Sequence, residues 1–125
     1  MPLFEDRSSG DVLAVYNPNM RMSIDKQRKS LPVFDHKLEF EYCVEKFNVV
    51  IVVGSTGSGK TTQLPQYLLE GGYCDNGGMI AVTQPRRVAC VTLAQRVATE
   101  VENHRLVSYA MRFDDTTTEF TRLLN

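Results

Sequence analysis

Hydrophobic positions along the 125 residues follow two rhythms. Val49 to Val53 is an unbroken run of β-branched residues, and Met79 to Thr83 is a second short apolar run; both read as buried strands. Leu106 to Phe113 alternates instead, with Val107, Tyr109, Met111 and Phe113 on one side, and predicts a third strand. The intervening stretches step by three and four. Phe34 to Phe47 places Phe34, Leu38, Tyr42 and Val44 along one helix, and Leu64, Tyr67 and Leu68 mark a second that stops at Gly71-Gly72. A third starts at Pro85, which suits a first helical position, and carries Val88, Val91, Ala94, Val97, Ala98 and Val101 as an apolar stripe. Pro65 conflicts with the second helix, since its ring removes a hydrogen bond to Thr61 and bends the axis.

Strand, helix and strand within this span form a βαβ unit, which predicts an α/β fold: a parallel sheet flanked by helices, with a right-handed crossover. Residues 1–30 show no sustained period and read as an extended or disordered N-terminal arm; Leu31-Pro32-Val33 breaks the chain, and 31–125 is the folded part. Asn76-Gly77-Gly78 is a turn, and Asp114-Asp115 reads as a solvated turn rather than a metal or acid pair. No further element is predicted between Thr116 and Asn125.

Composition narrows the setting. An apolar content of 42% supplies a core for one domain, and a net charge of −1 gives no overall positive field, so any nucleic-acid contact needs a local basic cluster. Met20 to Lys29 has four Lys or Arg in ten residues and reads as a solvated surface, with a weak phosphate contact as the other reading. Cys43, Cys74 and Cys90 have no C-x-x-C spacing, so no disulfide partner and no zinc site is expected. No apolar run approaches the roughly 20 residues a membrane span needs, and the acidic start has no apolar signal region. A cytosolic or nuclear setting is expected.

The candidate chemistry lies where the first strand meets the second helix. Gly54-Ser55-Thr56-Gly57-Ser58-Gly59-Lys60-Thr61-Thr62 has the spacing of a phosphate-binding loop, in the strand–loop–helix context such a loop requires. Glycines at 54, 57 and 59 remove side chains that would block access and allow φ > 0, so consecutive amides can face one anion. The following helix adds its free N-terminal amides, Lys60 a cation for the β and γ phosphates, and Thr61 a hydroxyl for Mg²⁺. Arg86 and Arg87 oppose the dipole of their helix at its start. They read either as solvated or, with the helix amides, as a site for a nucleic-acid phosphate.

Four runs together carry a resemblance: Gly54 to Tyr67 (Gly-Ser-Thr-Gly-Ser-Gly-Lys-Thr-Thr-Gln-Leu-Pro-Gln-Tyr), Thr83 to Ala89 (Thr-Gln-Pro-Arg-Arg-Val-Ala), Ala94 to Ala98 (Ala-Gln-Arg-Val-Ala) and Tyr109 to Asp115. They are similar to motif I, motif Ia and their downstream neighbours in DEAH-box ATP-dependent RNA helicases. Val15 to Pro18 and Gln27 to Phe34 resemble a spliceosome-associated branch of that family. A small nucleotide kinase, another class with such a loop, would leave Thr83–Ala89 and Ala94–Ala98 without a role.

The resemblance implies a P-loop NTPase with a partial RecA-like domain, binding ATP and Mg²⁺ through residues 54–62, with Lys60 and Thr61 catalytic and Thr61 on the metal. It implies RNA-backbone contact at Arg86 and Arg87, and places Arg96 among the nucleotide-binding residues as the arginine that stacks on the base; a planar guanidinium packs well on a π face. Arg96 as an ordinary polar-face arginine is the competing reading. RNA and spliceosomal proteins become the expected partners, and the nucleus the expected location. Ser55 stands where the family has Glu, and Ser108 where it has Gly. The family's Asp-Glu-Ala-His box, Ser-Ala-Thr motif and second RecA-like domain do not occur in the 125 residues. The chain is therefore expected to correspond to the N-terminal part of such a helicase and not to hydrolyse ATP alone; a catalytically inactive nucleotide- or partner-binding protein is the alternative.

Overall fold

The computed structural model describes residues 2–6, 13–16 and 23–125. It divides into two units, Met1–Ser30 and Leu31–Asn125. In the first, β1 (Pro2–Asp6) pairs antiparallel with β2 (Leu13–Tyr16), with a register shift between Pro2 and Phe4. The short helix α1 (Ile24–Lys29) follows, started by Ser23, whose hydroxyl accepts the Lys26 amide at 3.3 Å. Met20 to Met22 of the basic stretch, and Asn17 and Pro18 of the quoted Val15–Pro18 run, lie outside the described residues.

The second unit opens with a 3₁₀ turn, Pro32–His36, running into α2 (Lys37–Lys46). The helix predicted over Phe34–Phe47 is thus split, because Pro32 fixes a tight first turn. Its apolar positions find no cover: no residue of α2 is buried, and Leu38 and Tyr42 are exposed.

The larger correction concerns Val49 to Val53. The run is not a strand, and it is paired with no other strand among the described residues. Val49, Ile51 and Val53 are 79, 85 and 89% exposed. Propensity can favour an extended chain, but a strand also needs a ladder partner. An exposed apolar run with open backbone groups templates pairing with another chain. The protein should therefore self-associate: light scattering should report oligomers that grow with concentration, and Ile51→Lys with Val53→Lys should suppress them. A strictly monomeric wild type with a sharp, reversible melt would contradict this.

The next helix, α3 (Lys60–Glu70), runs unbroken through Pro65. Pro65 leaves the Thr61 carbonyl without its helical donor, and the Gln66 Nε2 donates to the next carbonyl, Thr62, at 2.7 Å. The stop falls at Gly71-Gly72 in a Schellman arrangement, with the Tyr73 amide on the Leu68 carbonyl and the Gly72 amide on Leu69, both at 3.3 Å. The buried face is Gln63, Pro65, Gln66 and Tyr67, so two glutamines occupy places expected of Leu64 and Leu68.

The parallel sheet is built elsewhere, from β3 (Ile80–Ala81), β4 (Val107–Ser108) and β7 (Leu123–Leu124), in the order β3-β7-β4. Both pairings of β7 are parallel, with Leu123 level with Ile80 and Val107. Ile80 donates to Arg122 at 2.7 Å, Arg122 to Leu106 at 2.8 Å and Asn125 to Ser108 at 3.0 Å. The α/β class and its parallel sheet therefore hold, but the middle strand is a segment where no element was predicted.

The helix connecting β3 to β4, α4 (Arg87–Glu100), starts two residues later than expected, with Pro85 in the approach and Arg86 as N-cap. Its buried face is Cys90, Ala94, Val97 and Glu100; Val88, placed in the predicted stripe, is exposed. The expected strand Leu106–Phe113 is also divided. β5 (Ala110–Met111) turns back through Arg112 and Phe113 onto β6 (Asp114–Asp115), and Phe113 sits at φ 69° with its ring exposed. The buried position is Ser108, whose hydroxyl lies 2.8 Å from that of buried Thr121. The serine that departs from the family pattern thus holds β4 to the turn before β7. Cys43, Cys74 and Cys90 are free thiols, and burial pushes the Cys74 thiol up from its ordinary range.

Candidate phosphate-binding site

The loop before α3 is shaped by backbone conformations that side chains resist. Gly57 lies at φ 82° and Gly59 at φ 95°, the latter as the left-handed N-cap of α3. Gly59 is constrained twice, since a Cβ there would stand 2.9 Å from Leu31 Cδ1 and 3.2 Å from Val33 Cγ1. Those two residues are held against the loop by the Val33 amide, which donates to the Ser58 carbonyl at 3.1 Å.

Among the described residues, no acceptor takes up the amides of Gly57, Gly59, Lys60 or Thr61. Unclaimed amides at the positive end of a helix are the donors that an anion-binding loop uses. Lys60 Nζ donates to the Gly54 carbonyl at the start of the same loop. Ser58 Oγ is buried at the same place without a partner among the described residues. A cavity of about 410 Å³ is lined by Leu31 and by Ser55 through Thr62, and another of about 350 Å³ by Val33, Val53, Gly54, Ser58 and Lys60, among others. The donor set fits a polyphosphate. For a divalent cation it offers the exposed Thr61 hydroxyl, the remaining oxygens being those of the phosphate and water. No cluster of three or more His, Cys, Asp or Glu able to hold a metal occurs among the described residues.

Gly54 through Thr62 are thus brought together, while Arg86 and Arg87 are placed at another cavity. Both are exposed at the start of α4, Arg86 without a side-chain capping bond and Arg87 donating from Nη2 to the Arg112 carbonyl at 3.0 Å. With Thr83, Pro85, Met111 and Asn125 they line a space of about 320 Å³ at the C-terminal ends of β3 and β7. On the β5–β6 hairpin, Tyr109 donates to Asp114 at 3.2 Å, which raises the phenol above its usual range. The Thr117 hydroxyl, together with the Thr117 amide that donates at 2.8 Å, holds the Asp115 carboxyl below the usual carboxylate range. The two carboxylates therefore serve different partners.

Arg96 is engaged within the protein. Its Nε donates to Glu100 Oε2 at 2.8 Å, and the other carboxylate oxygen accepts Gln63 Nε2 at 2.8 Å. Gln63 also reaches Thr62 Oγ1 at 3.1 Å, and that hydroxyl donates to the Gly59 carbonyl at 3.4 Å. Sequence reasoning missed Gln63 and Glu100. Their sole signal was the i, i+4 spacing of Arg96 and Glu100, which any exposed helix face can show.

With this geometry in view, the relatives carry weight. No family profile matches the chain. It is 50% identical over 107 residues to the Arabidopsis thaliana pre-mRNA-splicing factor ATP-dependent RNA helicase DEAH10, a match covering 84% of the chain and 15% of that protein. It is 51% identical over 106 residues to the human probable ATP-dependent RNA helicase DHX35, covering 82% and 15%. Against the Caenorhabditis elegans homologue of DHX35 it is 42% identical over 134 residues, covering 97% and 18%. Over most of its length the chain is a homologue of ATP-dependent RNA helicases. The family is the DEAH-box group, with a named splicing factor among the relatives, and the chain spans about 15% of the length of DEAH10 and of DHX35. Among the described residues, no helix is long and apolar enough to cross a membrane.

Proposed function

We propose that the chain is the ATP-binding portion of a RecA-like P-loop domain in a DEAH-box RNA helicase, acting in the nucleus in pre-mRNA splicing. The amides of residues 54–62 take the triphosphate, Lys60 neutralises its β and γ groups, and Thr61 holds Mg²⁺. Arg96 stacks on the base, and the exposed Arg86 and Arg87 meet the RNA backbone. The observation that supports this reading is the set of unclaimed amides at Gly57, Gly59, Lys60 and Thr61, in a loop whose Lys60 ammonium is bound to the Gly54 carbonyl.

A specific feature favours binding without turnover by this chain. Phosphoryl transfer needs a group to position water and a second anchor for the metal. The cavities at the loop are lined by no carboxylate. Calorimetric titration of the 125-residue chain with Mg·ATP should show saturable binding, and Lys60→Ala should weaken it about tenfold or more, the scale of one charge-assisted contact. RNA-stimulated phosphate release should be absent. No heat from folded wild type would sink the binding reading, and release would sink the inactive one.

A further inference from the structure

Glu100 is an unusual place for a carboxylate. Its side chain is 2% exposed, yet it takes two donors from different helices, Gln63 of α3 and Arg96 of α4. Gln63 in turn continues through the Thr62 hydroxyl to the Gly59 carbonyl. A continuous chain of hydrogen bonds thus runs from the phosphate loop to the guanidinium of Arg96, whose side chain is 47% exposed. An arginine tethered through Nε to a fixed carboxylate loses rotation about its last bonds, so the plane of its guanidinium is set before any ligand arrives.

We infer that Glu100, held by Gln63, is a positioning residue that presents the Arg96 guanidinium to the base of a nucleotide whose phosphates lie in the 54–62 loop. This rests on the reading of that loop as a nucleoside triphosphate site. A loose arginine must be ordered when the base binds; a preset one has met that cost during folding. Through the same chain, movement of Gly59 and Thr62 around phosphate is transmitted to the group that meets the base.

The test separates base from phosphate by titrating the 125-residue chain with Mg·ATP and with magnesium tripolyphosphate, which has no base. Glu100→Ala removes both acceptor oxygens, so the bonds to Gln63 and to Arg96 are lost together. Its affinity for ATP should fall roughly tenfold relative to tripolyphosphate, the scale of losing one stacked base. Arg96→Ala should give the same change in that ratio, and Glu100→Ala should add nothing to it. The exchange Q63E/E100Q, which returns a carboxylate to accept from the amide at 100 and frees that amide's oxygen for Arg96, should restore the ratio. A packing role alone predicts that both ligands weaken together; that result, or an unchanged ratio in Glu100→Ala, overturns the inference. If folded wild type binds neither ligand, the loop reading fails and takes the positioning role with it.

Discussion

Leu123→Ala should destabilise the unit 31–125 by about 3 kcal/mol, within the range for truncating a buried leucine. Leu123 has 0% exposure and stands level with Ile80 on one side and Val107 on the other, so the cavity opens where both ladders meet. Few other side chains cover it: the buried apolar residues are Val33, Tyr67, Cys74, Cys90, Ala94, Val97 and Leu123 itself. With so small a core, neighbours cannot collapse into the gap without separating α4 from the sheet. The expected reading is a fall of roughly 15 °C in the circular-dichroism melting midpoint, given several degrees per kcal/mol for a domain of this size. Leu124→Ala, at a half-buried position, should cost clearly less. Equal losses at the two positions would mean that β7 is not the central strand.

Gly59→Val should abolish nucleotide binding, lowering affinity about a hundredfold or more while leaving the sheet folded. Two penalties add. A β-branched residue at φ 95° is strained by at least about 1–2 kcal/mol, and its Cβ would enter the space held by Leu31 and Val33. The loop can relieve both by rotating out of the left-handed region, which turns its amides away from the nucleotide. Gly57→Ala is the informative companion. It carries a similar positive φ, but nothing lies within 4 Å of its Cβ position, so only the conformational penalty applies and a smaller loss is expected. Calorimetry with Mg·ATP, together with circular dichroism to show that the sheet persists, measures both. Wild-type affinity in Gly59→Val would refute the amide-based account of the site.

The site was legible in the sequence to the extent that it is local. Fixed offsets between glycines, Lys60 and Thr61 encode local backbone preferences within nine residues, and Gly57 and Gly59 take the positive φ that such glycines allow. Arg86 and Arg87 were legible as a pair at a helix start, because Pro85 marks the boundary to within two residues. The Gln63–Glu100 contact was not, since 37 residues separate its members and neither type has a preference for burial. Strand assignment failed for a related reason. Val49–Val53 has the composition of a strand, but pairing decides, and the described residues supply it no partner. Leu123–Leu124 is too short to show a period, yet it lies between two edges that need it. Apolar stripes on α2 and α4 also misled, because which face is buried depends on what packs there.

The order of strands in space bears on when the fold can form during synthesis. β3 and β4 are not paired with each other; the strand between them, β7, is the last of the three to be made. While a ribosome is still extending the chain through residue 122, the two earlier strands have no ladder to join, and their edges stay open to other polypeptides. The sheet can close only after Leu123 has left the exit tunnel, so the time between translation of Ile80 and release of Leu124 is a window in which a nascent-chain chaperone would find its substrate.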